Sequence, residues 1–207
     1  MTGSRLGAMS APIDFYFDFS SPYAYIASEW IEGVAARHGR TVNWKPVLLG
    51  PIFQAAQLKS PVSHPNKREY SLRDFARSAR FERLPFVMPA TFPLATHNAA
   101  RVFWWLHDQH PEKASAWVHA CFRAVFGRGE DLGEVPVLKA LCESQGLDAE
   151  AAEQVWNDTH WKDRLREANE EALAAGVFGA PFFVIDGEPF WGNDRKTQIE
   201  AWLKQPF

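Results

Sequence analysis

Hydrophobic residues along the chain follow two different periods, and the change from one to the other marks the elements. Residues 13–17, IDFYF, form a nearly continuous apolar run that stops at Ser20-Ser21-Pro22, the pattern of a short strand buried on both faces. Beyond Pro22 the spacing becomes helical: Ala24, Tyr25, Ala27, Trp30, Ile31 and Val34 recur every three or four positions. Ser21 suits the N-cap of this helix, and Pro22 suits its first position, where the missing N–H would be unpaired in any case. Gly39, just past His38, closes it. Residues 41–49, TVNWKPVLL, carry Val42, Trp44, Val47 and Leu48 and read as a second strand, with Pro46 marking a sheet edge or a bend.

From Gly50 to about Gly176 the pattern is helical. A helix over 66–82 places Tyr70, Leu72, Phe75, Ala76 and Ala79 on one face, and the following LPFVMPATFP cannot be helical because Pro85, Pro89 and Pro93 interrupt it, so an ordered loop is expected. Helical runs resume over 96–110, 112–126, 134–145 and 148–175, the last split near Asp158-Thr159, either of which can cap. Strands return at 182–191, FFVIDGEPFW, where two apolar runs flank Asp186-Gly187, a pair suited to a type I′ hairpin. A final helix from about Asp194 to Leu203 follows, with Asn193 or Asp194 as its cap. The order predicts an α/β fold, a βαβ unit completed by ββα, with residues 12–50 and 176–207 as the framework, 51–175 as a large all-helical insertion, and 1–11 as a loose, flexible tail.

Composition adds the material for a core and withdraws several functions. The 207 residues are 46% hydrophobic and include nine Trp and sixteen Phe, enough for a packed interior and an apolar pocket. Net charge is -3 and the 22 basic residues are dispersed, thickest between Lys59 and Arg83, so no nucleic-acid footprint appears. No apolar stretch is long enough to span a membrane. Cys121 and Cys142 stand apart, at neither redox nor metal-ligand spacing, and read as buried thiols; such sparing use, without a signal peptide, suggests the cytoplasm. There is no His-x-x-x-His, clustered carboxylate pair or Gly-x-Ser-x-Gly, so neither a metal site nor a hydrolytic triad is indicated.

Ser21 is the candidate for chemistry, because its hydroxyl stands at the tip of a buried strand and at the positive end of a helix dipole, where an anion is favoured. The stretch around it resembles the thioredoxin-like disulfide oxidoreductases, whose Cys-Pro-x-Cys is here Ser21, Pro22, Tyr23 and Ala24. With Ser-Pro it is similar to the kappa-class glutathione transferases and, more closely, to the 2-hydroxychromene-2-carboxylate isomerases. Residues 177–195, VFGAPFFVIDGEPFWGNDR, resemble the same family's Phe-Gly-x-Pro segment, hairpin and Trp-Gly-x-Asp-Arg ending. The match runs from about residue 13 to 203 and departs from the family pattern at Ala95, Phe182 and Asn193.

The resemblance implies a thioredoxin-like fold and glutathione as cofactor, with Ser21 a hydrogen-bond donor to its thiol. It implies a cis bond at Pro181, leaving the backbone of Ala180 to pair with the cysteinyl part. Asn193 and Asp194 would then receive the γ-glutamyl end, and Lys67, from the Pro65-x-Lys67-x-x-Tyr70 stretch, the glycyl carboxylate. Tyr23, Phe53, Phe92 and Trp191, with Pro93 and Thr96, would wall the pocket of an aromatic-derived small-molecule substrate; His64, His97 and Asn98 are further polar candidates. The implied reaction interconverts 2-hydroxychromene-2-carboxylate and trans-o-hydroxybenzylidenepyruvate, in a possible homodimer. A kappa-like transferase that consumes glutathione and a non-catalytic thioredoxin-like binding protein are the alternatives.

Overall fold

The computed structural model describes residues 11–207. The tail expected over 1–11 therefore falls, apart from Ala11, outside the described residues. The expected α/β order is found. Strand β1 (Ile13–Phe17), helix α1 (Pro22–Arg37) and strand β2 (Val42–Pro46) form the opening unit, and β3 (Phe182–Ile185), β4 (Glu188–Trp191) and α9 (Lys196–Lys204) complete it. The sheet order is β2-β1-β3-β4, with β1 parallel to β2 and the remaining pairs antiparallel. Pro46 ends β2 at the sheet edge, where a missing N–H costs least. The strand expected to continue to Leu49 stops there. The Asn169 side-chain amide accepts from Leu48 N–H and donates to Leu48 C=O, both at 2.9 Å, satisfying that backbone in place of a strand partner.

Between β2 and β3 lie α2 (Leu49–Ala55), α3 (Pro65–Phe81), α4 (His97–Gln109), α5 (Pro111–Phe122), α6 (Val135–Ser144), α7 (Ala149–Asn157) and α8 (Thr159–Ala174). Asp158 caps α8 through His160 N–H at 2.7 Å, where the sequence predicts the split. The hairpin turns through Asp186 and Gly187, both at positive φ (53° and 88°), as a type I′ turn requires. Cys121 and Cys142 are buried free thiols, both pushed up by burial. Among the described residues no helix is long and apolar enough to cross a membrane.

Three local expectations are corrected. The buried face of α3 is Ser71, Phe75 and Ala79, four residues apart, and Tyr70 lies a hundred degrees off that stripe, largely exposed beneath the Arg77 guanidinium. The helix expected over 112–126 is regular only to Phe122; residues 123–127 widen into a π turn, whose Phe126 C=O accepts from Val87 N–H in the proline loop at 2.7 Å. The last helix begins at Lys196, after a 3-10 turn over Asn193–Arg195, and neither Asn193 nor Asp194 caps it by its side chain.

The sheet and the helices share one core. Phe15 stacks on Phe183 across β1 and β3 with ring centroids 4.9 Å apart. Phe17, next along β1 on the same face, lies 5.4 Å from Phe122 of α5 and 6.4 Å from Phe103 of α4. These rings are fully buried, each contributing roughly 1.5–3 kcal/mol by transfer from water.

Candidate functional site

The end of β1 and the start of α1 are held by two residues, Asp18 and Ser21. Ser21 is 5% exposed and is the N-cap of α1: its Oγ accepts from Ala24 N–H at 3.2 Å. The same hydroxyl donates to Ala180 C=O at 3.4 Å, a long and weak bond across 159 positions of chain. The two motifs that sequence alone relates only by resemblance are thus in contact. Cap and donor use different parts of the group, the oxygen lone pair and the hydrogen, so neither role excludes the other. The Ala180–Pro181 peptide is cis, as is Phe92–Pro93, which the sequence reading did not anticipate. Among the described residues Ala180 N–H has no backbone partner.

Asp18, which sequence reasoning passed over, is 4% exposed and takes three hydrogen bonds. Its Oδ1 accepts from Ser20 N–H at 2.8 Å and Thr96 Oγ1 at 2.7 Å, and its Oδ2 accepts from Leu49 N–H at 2.8 Å. The signal was present in the sequence, since an acidic residue inside the apolar run FYFDF must either face water or find donors.

Tyr23 is half-buried one position past Pro22. Its hydroxyl donates to Asp74 of α3, and its ring meets Phe75 edge-on at 4.9 Å. Burial, and then the Asp74 carboxylate, raise the tyrosine well above its usual range, so it stays a neutral donor. Phe75 leads on to Phe92 at 6.4 Å, beside the second cis proline, so these side chains form a continuous wall. Trp191, 54% exposed, stands against Phe178 at 5.1 Å and covers Gly179, where a Cβ would lie 2.6 Å from the indole Nε1; only glycine allows that approach.

Asn193 is drawn into structure by Trp30, whose indole N–H donates to Asn193 Oδ1 at 2.8 Å. Asp194 is exposed, with Arg195 at 3.8 Å as its charged neighbour. Lys67 is exposed in the first turn of α3 and Phe53 is half-buried in α2; among the described residues no hydrogen bond or ring contact joins either to Ser21. His97 is lowered by burial and by Arg101, and Asn98 accepts from Arg101 at 3.1 Å, so both serve the start of α4. His64 precedes α3 without capping it by its side chain.

Two cavities lie away from Ser21. One of about 410 Å³ sits between α1, β2, α4 and α5 and is lined by Glu32, Trp44, Phe103 and His107 among others; a second, of about 250 Å³, lies beside Tyr25, Pro85 and Arg123. A helix N-terminus with a buried hydroxyl and a backbone amide that has no backbone partner among the described residues, groups suited to an anion and a peptide, lie instead at Ser21 and Ala180. Among the described residues no cluster of His, Cys, Asp and Glu is placed to hold a metal ion.

A profile of the DSBA-like thioredoxin domain family matches residues 12–204. The chain is 32% identical over 197 residues to a 2-hydroxychromene-2-carboxylate isomerase of Sphingobium xenophagum, which covers 94% of this chain and 99% of that protein. It is 27% identical over 209 residues to glutathione S-transferase kappa 1 of Caenorhabditis elegans, covering 94% and 91% respectively. A solved structure of 2-hydroxychromene-2-carboxylate isomerase superposes with a TM-score of 0.85 at 27% identity, over 93% of this chain and 94% of that one.

Proposed function

Since the chain belongs to the 2-hydroxychromene-2-carboxylate isomerase family of DSBA-like thioredoxin-domain proteins, we propose that it is a glutathione-dependent cis–trans isomerase of aromatic-derived hydroxy and keto acids. The observation that carries this reading is the meeting of Ser21 Oγ with Ala180 C=O at the N-terminus of α1. A disulfide oxidoreductase needs two thiols where this chain has Ser21 and Ala24.

The residues present suit glutathione. Ala180 offers an amide that has no backbone partner among the described residues, for strand-like pairing with a peptide, and Asp194 an exposed carboxylate for an ammonium. Asn193 beside it, and Lys67 in the first turn of α3, complete the set of candidate contacts. Bound there, glutathione would supply a thiolate able to add reversibly to a conjugated double bond, making it single and free to rotate.

What the chain itself does is stabilise negative charge. A thiol at the reference pKa of about 8.5 is roughly 3% ionised at neutral pH, and a value of about 6.5 would make it roughly three-quarters ionised, a difference of ~2.7 kcal/mol. The α1 N-terminus and the Ser21 hydroxyl each provide on the order of 1 kcal/mol, which brings most of that shift within reach. Ser21 needs only to swing its hydrogen away from Ala180 C=O, and at 3.4 Å that bond yields easily. Tyr23, Phe92 and Trp191, with Phe53 of α2, are the candidates to hold a planar substrate beside the site.

The kappa-class likeness makes a transferase the second reading. Stoichiometry separates the two. With limiting glutathione and excess o-hydroxybenzylidenepyruvate-type substrate, the isomerase forms product far beyond the glutathione supplied and leaves free thiol undiminished. One thiol lost per product would establish the transferase in its place.

A further inference from the structure

We propose that Asp18 is a positioning residue that sets the Ser21 hydroxyl and the substrate wall in one fixed relation; this rests on the glutathione reading above. Its carboxylate joins three chain segments that are far apart in sequence. One is the β1–α1 turn, held through Ser20 N–H at 2.8 Å from the side chain and through Ser21 N–H to Asp18 C=O at 2.9 Å. The second is the start of α2, where Leu48 makes no side-chain cap and Asp18 Oδ2 receives the N–H of Leu49 at 2.8 Å, so the helix carrying Phe53 is capped from outside its own segment. The third is Thr96, the residue before α4 and the end of the loop that carries Phe92 and Pro93, bound at 2.7 Å.

Only a carboxylate serves all three. It is acceptor-only, with two oxygens, whereas asparagine offers one accepting oxygen and two donor hydrogens. In Asp18→Asn, an amide nitrogen facing Leu49 meets an N–H, and one facing Ser20 and Thr96 meets another; Thr96 can turn to accept, but a backbone N–H is left unpaired either way. The charge by itself would disfavour an anion nearby, so the two possible roles of Asp18 predict opposite signs. Loss of a repelling charge lowers the pKa of a thiol bound at Ser21. Loss of a positioned Ser21 raises it.

The test uses the full chain with glutathione, following the ultraviolet thiolate absorbance against pH, together with amide exchange of Ser20 and Leu49 in the protein without glutathione. In Asp18→Asn the expected result is an upward shift of the bound thiol by about one pH unit and faster exchange at one of the two amides, the one that the new side-chain nitrogen faces. A downward shift or none overturns the proposal. Should Asp18→Asn fail to fold, Thr96→Val keeps the branched shape and removes one donor, leaving Asp18 its two backbone partners. That variant is expected to raise KM for the aromatic substrate several-fold with the thiol titration unmoved, and an unchanged KM would overturn the link to the wall. A wild-type protein that shows no thiolate signal removes the glutathione reading and this one together, whereas a wild-type signal that Asp18→Asn leaves in place removes this one alone.

Discussion

At the scale of single residues, Ser21 is a hydroxyl that caps a helix and that the proposed function also uses as a donor. Its oxygen closes the α1 N-terminus through Ala24 N–H, and its hydrogen is held only loosely by Ala180 C=O. Removing it in Ser21→Ala forfeits the cap, about 1 kcal/mol of stability, which a core of this size tolerates. The larger effect is expected on the bound thiol, whose titration should move upward by roughly a unit with loss of one charge-assisted hydrogen bond. The thiolate absorbance of bound glutathione against pH measures this directly. Identical titrations in mutant and wild type would leave Ser21 a cap and nothing more.

At the scale of elements, α1 and α5 are joined by an ionic cluster outside the candidate site. Arg123 makes two bonds of 2.8 Å to Glu29, and Ser115 and His119 reach Glu32 at 2.7 and 2.8 Å. His119 Nδ1 is 3.8 Å from Glu29, too far for a hydrogen bond, so Glu29 acts on it through space. Burial alone would lower His119, but the two carboxylates outweigh it and raise the imidazole to about 9 from 6.5. Glu29, which burial alone would raise, is held down to about 2 by His119 and Arg123. The signs then follow. The stability due to His119 is complete below about 6.5 and is lost as pH rises through about 9; that due to Glu29 is complete above 4.5 and is lost as pH falls through about 2. Between about pH 6 and pH 10 the urea midpoint of the wild type should fall more than that of His119→Gln. Equal falls would show that His119 is not the group responsible.

At the scale of the whole molecule, the helices between β2 and β3 are not a separate body laid on the sheet. Phe17 of β1 touches Phe103 and Phe122 of the helical segment, and Trp104 of α4 donates to Pro46 C=O at the end of β2, at 3.2 Å. A shared core of this kind couples the two parts, because neither can lose its packing without exposing apolar surface on the other. Unfolding in urea followed by far-ultraviolet circular dichroism and by tryptophan fluorescence is therefore expected to give one coincident transition. Two separated transitions would mean that the helical segment has its own independent core.

The sequence by itself determined what local physics controls. Ser21-Pro22 opens a helix because cap and ring both favour that position, Asp186-Gly187 turns a hairpin because both residues tolerate positive φ, and Asp158 splits two helices because its carboxylate takes His160 N–H. Sequence order also carries the strand–helix–strand plan, since the hydrophobic period changes where the elements change. Tertiary structure decided whatever depends on partners distant along the chain. Nothing near Tyr70 indicates that α3 turns it outward, because the buried stripe is chosen by what Phe75 packs on. Asn193 reads as a cap until Trp30, 163 positions away, claims its oxygen. Beyond the local N–H of Ser20, Asp18 has donors only because Leu49 and Thr96 are brought to it, and Ser21 meets Ala180 only because β3 pairs with β1. Local propensity acts over a few residues, whereas a buried polar group is satisfied by whichever segment the fold delivers, and that delivery is a property of the whole chain.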